Sequence, residues 1–227
     1  MSQLALPLRL ADHAVFSSFF SARNESLVAT LSALADGTSD AGCWLWGPPA
    51  TGKTHLLQAV CDRAGDQSVY VPLALLADAD PQLLDGLASR SVVCIDDIDV
   101  VAGKEDWEHA LFVLYNQILD ANGRLVVTAA APPRGSNILL ADLKSRLSRL
   151  PIFQVQPLDE NERISALQLR ARHRGLDLPD DTARYLLTRS RRDMASLYKL
   201  LDKLDDEALR AQRRLTIPFV KSVMQDL

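Results

Sequence analysis

Eight residues, Gly47-Pro48-Pro49-Ala50-Thr51-Gly52-Lys53-Thr54, fit the pattern G-x-x-x-x-G-K-[ST] at every fixed position. Glycines at those places let the backbone turn tightly, so that successive N–H groups converge on phosphate oxygens. Lys53 would reach the β- and γ-phosphates of a nucleotide, and the Thr54 hydroxyl would ligate Mg²⁺. His55 and the apolar-periodic residues after it read as a helix, whose N-terminus adds a favourable dipole for an anion. The run Cys43-Trp44-Leu45-Trp46 before the loop reads as a buried strand. Strand, loop and helix stand in the order that phosphate binding requires. A Gly/Pro surface turn that matched by accident would not need that order.

Further candidates stand at the ends of predicted strands. Val92-Val93-Cys94-Ile95 runs into Asp96 and Asp97. After a phosphate loop, such a pair suits nucleotide chemistry: Asp96 holds magnesium through water, and Asp97 orients or deprotonates an attacking water. Two acids that merely solvate a strand end are the plainer alternative, and the intact loop weighs against it. Thr128 is a lone polar residue closing Arg124-Leu125-Val126-Val127. It suits contact with a γ-phosphate or attacking water, since ligands of open α/β sheets bind at the carboxyl ends of strands. A hydroxyl that caps a turn is an equal alternative. Arg146, in Asp142-Leu143-Lys144-Ser145-Arg146-Leu147, and Arg192, in Ser190-Arg191-Arg192-Asp193-Met194, complete the set. An arginine can stabilise phosphoryl-transfer charge in its own site or, as a finger, in a neighbour's. A solvated helix face accounts for an arginine as well, and spacing alone does not decide.

These residues need a scaffold, and the pattern predicts an α/β one. Strands are expected at 43–46, 68–73, 91–97, 124–128 and 152–155. Between them the periodicity predicts a helix capped by Asn24 and running through Leu27, Leu31 and Leu34. Others begin at Pro81, run from Trp107 to Ala121 and run from Leu139 to Leu150. Strand and helix alternate about five times, so the expectation is a five-stranded parallel sheet with helices on both faces. After Pro157 the strands stop. Helices are expected at 159–174, 179–189, 192–205, 207–213 and from Thr216 onward, forming a helical subdomain. The expected organisation is a tail at 1–12, an α/β nucleotide-binding domain at 13–157 and a helical subdomain at 158–227.

Bulk properties exclude several classes. Apolar residues are 48% and charged residues 24% of the 227, an ordinary globular composition. A net charge of −4 does not support a protein that holds nucleic acid by overall charge. No apolar run approaches a membrane span and no basic-then-apolar leader opens the chain, so no membrane and a cytoplasmic location are expected. Cys43, Cys61 and Cys94 are scattered and odd in number, and read as small core residues in a reducing compartment. The tail Gln3-Leu4-Ala5-Leu6-Pro7-Leu8 has leucines at alternate positions, and Pro7 keeps Leu6 out of the α region, so it is expected to be extended. From physics alone, packing on its own domain is the plainer fate, and docking in a partner's pocket the alternative.

Together these residues resemble the AAA+ branch of phosphate-loop ATPases, and within it the replication initiator DnaA and its regulatory relatives. The resemblance runs over nearly the whole chain. Phe16-x-x-Phe19 followed by Asn24 resembles the segment that packs beside the adenine, and Gly47 to Thr54 resembles Walker A. Val92 to Asp97 resembles Walker B, with Asp97 where many motors have Glu. Thr128 falls at the sensor 1 position, Arg146 matches the DnaA-type arginine finger, and Arg192 matches the sensor 2 arginine of the helical lid. Gln3-Leu4-Ala5-Leu6-Pro7-Leu8 resembles the hexapeptide Q-L-x-L-x-[FL] that binds the replicative sliding clamp, with Gln3 in a polar pocket and Leu6 and Leu8 in an apolar one. This reverses the odds for the tail. The lid is also expected to end the chain, without the helix-turn-helix reader of DnaA proper. That combination resembles the Hda type, regulatory inactivators of DnaA.

The resemblance implies ADP or ATP with Mg²⁺ as cofactors, and the sliding clamp and DnaA as partners. It also implies a possible homodimer, DNA contact mainly indirect through the clamp, and association with the nucleoid by that same route. Arg146 would be offered to ATP on DnaA. The chain's own nucleotide would be structural, usually ADP, fixing the angle between sheet and lid. The intact loop departs from that picture in one respect: nothing in it forbids ATP binding or slow turnover. The runner-up is an ATPase acting as a helicase loader or another DnaA-like adaptor.

Overall fold

The computed structural model describes residues 14–39, 42–189, 193–211 and 213–225. The tail residues Gln3, Leu4, Leu6, Pro7 and Leu8, together with Arg192, lie outside the described residues. The described residues divide into two compact units, 14–16 with 23–156 and 17–22 with 157–225.

The first unit is built on five parallel strands. They are β1 (Cys43–Trp46), β2 (Ser68–Pro72), β3 (Val92–Asp96), β4 (Arg124–Ala129) and β5 (Ile152–Gln154), in spatial order β2-β3-β4-β1-β5. Register follows from pairs such as Cys94↔Val126 on β4's neighbour and Leu45↔Thr128 across β1 and β4. Alternation decides which side chains face which layer. Val93, Ile95, Leu125 and Val127 face one way, into a core with Trp107, Leu111, Leu114 and Ile118 of α4 (Glu105–Asp120), and with Leu143 and Leu147 of α5 (Ala141–Leu147). Cys94 and Val126 point to the other face, where α2 (Lys53–Ala64) lies on β2 and β3 and is itself covered by α1 (Glu25–Ala35). Strands buried on both faces explain why β3 and β4 are almost uninterrupted apolar runs. All three cysteines are buried and free, and burial pushes the Cys43 thiol up to about 12, so it behaves as a small apolar side chain.

Three expectations are corrected in this unit. The stretch from Pro81 is not a helix but two 3₁₀ turns, Pro81–Leu84 and Leu87–Ser89, separated by Gly86 at φ +79°. Too few residues fit between the Asp80 cap and that left-handed glycine for an α-helix to nucleate. A single helical turn, α3 (Leu73–Leu76), follows β2 instead. The helix expected over 139–150 is only α5: its N-cap Leu140 is extended, at φ −67° and ψ +105°, and the N–H groups of Leu139 and Leu140 donate to the Glu108 carboxylate at 3.0 and 2.6 Å. Asn24 precedes α1 but its side chain does not cap it. Instead its carboxamide exchanges two hydrogen bonds with the backbone of Gln156, at 3.2 and 2.8 Å, tying the start of α1 to the residues after β5.

The second unit is helical. It contains α6 (Glu160–His173), α7 (Asp180–Arg189), α8 (Met194–Ala211) and α9 (Ile217–Gln225). A capping box opens α6: Asp159 accepts from the Glu162 N–H, and Glu162 accepts from the Asp159 N–H. The two helices expected at 192–205 and 207–213 are one. Leu197, Leu201, Leu204 and Ala208 form an unbroken stripe through the acidic stretch, which merely solvates the outer face. Between α6 and α8, Arg170 stacks on Tyr198 at 4.5 Å, and Arg174 pairs with Asp202 and Asp205 at 3.0 and 3.1 Å. Among the described residues no helix is long and apolar enough to cross a membrane.

Candidate phosphate-binding site

Strand order brings the candidate residues together. β1 lies between β4 and β5, and β3 lies next to β4, so the loops after β1, β3 and β4 open side by side at the carboxyl end of the sheet. Gly47 follows β1, Asp96 ends β3, and Thr128 is the penultimate residue of β4.

The loop has the backbone its sequence demands. A Cβ on Gly47 would sit 2.8 Å from the Val155 carbonyl oxygen, so the close pass of loop and β5 admits no side chain. Gly52, at φ +97°, is the left-handed residue that launches α2. Pro48, Pro49 and Ala50 are exposed at the tip, and Thr51 holds the turn by donating to the Pro48 carbonyl at 3.0 Å. Lys53 is buried, and its ammonium donates to the carbonyls of Gly47 and Pro48 at 2.8 and 3.1 Å, which keeps it inside the loop. Burial pulls its pKa down, while Asp97, Asp96 and Asp99 favour the charged form. The Thr54 hydroxyl is on the exposed side of the first turn of α2. His55 leans away from the loop and donates from Nε2 to the Val15 carbonyl at 2.9 Å, which fixes the segment before α1 against α2.

Opposite the loop, four residues form one hydrogen-bonded chain. The Asp97 N–H donates to Thr128 Oγ1 at 2.8 Å, and the Thr128 hydroxyl donates to Asp96 Oδ1. Tyr70, on β2, donates to Asp96 Oδ2 at 2.7 Å. Thr128 is fully buried and spoken for on both sides, which weakens the reading of a turn-capping hydroxyl. Asp97 stands just past the strand at φ +56°, ψ +54°, a left-handed conformation that aspartate tolerates better than most residues. Burial pushes the Asp97 carboxyl above the ordinary aspartate range and Asp96 adds to the effect, while Lys53 opposes it.

Two groups went unread in the sequence. Tyr70 looked like one more strand residue, because nothing within β2 marks its reach to β3. Asp99 lies in the turn after β3, accepts a hydrogen bond from the Ala130 N–H and so ties the loops after β3 and β4 together.

Arg146 is elsewhere. It sits one residue from the end of α5, and its guanidinium makes no hydrogen bond or ion pair with the described residues. Its helix returns the chain to Pro151, whose carbonyl accepts from the Trp44 N–H at 2.9 Å. Trp44 is near the start of β1, whereas the phosphate loop begins beyond its end, about 10 Å away at 3.3 Å per residue. Arg146 therefore lies toward the end of the sheet away from the chain's own loop.

The donor set fits a magnesium–nucleotide complex. A lysine and convergent backbone amides suit phosphates, and one hydroxyl with one carboxylate suits Mg²⁺, which keeps most of its waters and takes few protein ligands.

Comparison with known proteins places this geometry. A family model described as the bacterial DnaA ATPase domain matches residues 74–150, and one described as the Hda lid domain matches residues 159–224. The chain is a DnaA-like AAA+ protein with a lid of the Hda type. The first match begins after residues 47–54, so the phosphate loop rests on its own pattern and geometry. Similar solved folds include domain III of the replication initiation protein DnaA from Thermotoga maritima, with TM-score 0.78 and 18% identity over 96% of this chain and 98% of that one. AMPPCP-bound DnaA from Aquifex aeolicus gives TM-score 0.63 and 21% identity, over 83% and 64%. The Holliday junction branch migration motor RuvB from Thermotoga maritima gives 0.65 and 18%, over 93% and 73%. At such identities these likenesses speak for the AAA+ fold alone.

Proposed function

We propose that this DnaA-like protein is a regulator of replication initiation that docks on the sliding clamp and stimulates hydrolysis of ATP bound to DnaA. Its own phosphate loop holds an adenine nucleotide through the Gly47–Thr54 amides and Lys53, with Thr54 and Asp96 offering hard oxygens to Mg²⁺. That ion, when present, supplies positive charge beside the phosphates. The observation that carries the reading is the position of Arg146, unpartnered among the described residues and displaced toward the end of the sheet away from the chain's own loop. A guanidinium so placed is available to a second site. There it neutralises charge on the transferring phosphoryl group as water attacks and the bond to the departing ADP breaks. Gln3, Leu4, Leu6, Pro7 and Leu8 supply the clamp contact, with an extended backbone that lowers the cost of ordering. A pull-down on purified clamp tests this role directly: the wild-type chain is retained, and Gln3→Ala is retained poorly. Equal recovery of the two, or of neither, contradicts it.

A second reading is favoured by the completeness of the chain's own site, in which Lys53, Asp96, Asp97 and Thr128 converge. Here the chain is itself a motor or helicase loader. Sustained ATP turnover by the purified chain, lost on Asp97→Asn, would establish this alternative. The regulatory reading expects slow or no turnover.

A further inference from the structure

Asp96 is clamped from both sides by neighbouring strands, and the two clamps differ in kind. Thr128 lies on β4 at the level of Asp96. Tyr70 lies on β2, opposite Cys94, two residues before the Asp96 level where Pro72 pairs with Asp96. Residues two apart on a strand share a face, so Tyr70, Pro72, Cys94 and Asp96 all present to the α2 side. A diagonal of this sort spans a distance that an aromatic side chain covers and a short one does not. Its phenol arrives at Asp96 Oδ2 at 2.7 Å, and the carboxamide of Gln58, one turn along α2 from Thr54, interacts with the same phenol. An ionised carboxylate only accepts, so the phenol is the donor. The Thr128 oxygen already accepts from the Asp97 N–H, so its proton goes to Oδ1. Each oxygen of Asp96 thus receives one hydroxyl and keeps a further lone-pair direction.

We infer that Tyr70 is a positioning residue for the magnesium side of this site: with Thr128 it fixes the plane of the Asp96 carboxylate, so that the remaining lone pairs face the water shell of a nucleotide-bound divalent cation. The proposal rests on the nucleotide reading above and adds to it a residue outside the phosphate loop and outside Val92–Asp97. A phenol keeps its proton across the whole physiological range, so Tyr70 remains a donor. A pre-set carboxylate spares the cost of ordering when the cation arrives. Gln58 connects the device to α2, the helix that carries Lys53 and Thr54.

The test compares wild type and Tyr70→Phe in binding of ADP, with excess Mg²⁺ and separately with EDTA, by calorimetry. Phenylalanine keeps the packing and removes one hydroxyl. The expected result is about a tenfold loss of ADP affinity with Mg²⁺, no change in EDTA, and a higher Mg²⁺ concentration for half-maximal enhancement. Equal losses in both buffers would reduce Tyr70 to a structural role, and unchanged affinity in both would leave it none. Either overturns the proposal. Should wild type bind ADP in neither buffer, the nucleotide reading itself fails and this proposal with it. That result differs from the others because variant and wild type then behave alike. A thermal melt of Tyr70→Phe within a few degrees of wild type keeps the comparison on folded protein.

Discussion

Glu108 shows how much a single buried charge does for the placement of Arg146. It is 2% exposed on α4, and its carboxylate accepts from the N–H groups of Gly103 at 2.6 Å, Leu139 at 3.0 Å and Leu140 at 2.6 Å. Those donors hold the two residues from which α5, and so Arg146, departs. Burial acts to raise the Glu108 pKa, but the backbone donors outweigh it and leave the carboxyl below the usual glutamate value. A depressed folded value means that the contribution to stability is fully present above the unfolded pKa, about 4.3, and is lost as pH falls through the folded one. Glu108→Gln presents an N–H₂ group to at least one N–H donor and should cost about 2–3 kcal/mol at pH 7. Urea denaturation should show that difference shrinking below pH 4. A constant difference across the range would mean that packing, not charge, is lost.

At the scale of elements, the sheet is tuned by close contacts that tolerate no addition. Gly42 lies where a Cβ would fall 2.2 Å from the Leu125 carbonyl oxygen of β4, a backbone atom that cannot swing aside. Gly42→Ala should therefore force β1 and β4 apart and cost about 2 kcal/mol or more, a drop of several degrees in Tm by calorimetry. An unchanged Tm would show that β1 can slide without loss. The same sheet marks what could be read beforehand. All five strands were legible: the central β1, β3 and β4 as apolar runs bounded by turns, and the edge strands β2 and β5 as short runs rich in β-branched and aromatic residues. The phosphate loop was legible because its chemistry fixes residue types at fixed spacing. Helix ends were less so. The run at Pro81 has helical spacing, yet Gly86 breaks it. The acidic stretch at Asp205 looks like a break, yet the apolar stripe of α8 carries through. Asn24 has the residue type of a cap, yet its carboxamide goes to Gln156. The first two turn on which of two local signals wins, and the third on a partner 132 residues away, which local pattern does not contain. Tyr70 stayed unread for the same reason as Asn24: its contact exists only once β2 lies beside β3.

For the whole molecule, the account turns on a separation of two sites. In the proposed function the residues around Gly47–Thr54 hold the chain's own nucleotide, Arg146 acts away from them, and the clamp-like sequence at residues 3–8 brings the protein to replicated DNA. The Hda-type lid at 159–224 accords with a regulatory member of the DnaA-like AAA+ group. On this account the ATP that is lost belongs to the partner. The most direct measurement follows radiolabelled ATP on purified DnaA in the presence of clamp-loaded DNA and this protein. Wild type should accelerate conversion to ADP, and Arg146→Ala, folded and still retained on the clamp, should lose the acceleration by on the order of 10³-fold. Acceleration by Arg146→Ala equal to that of wild type would contradict the account.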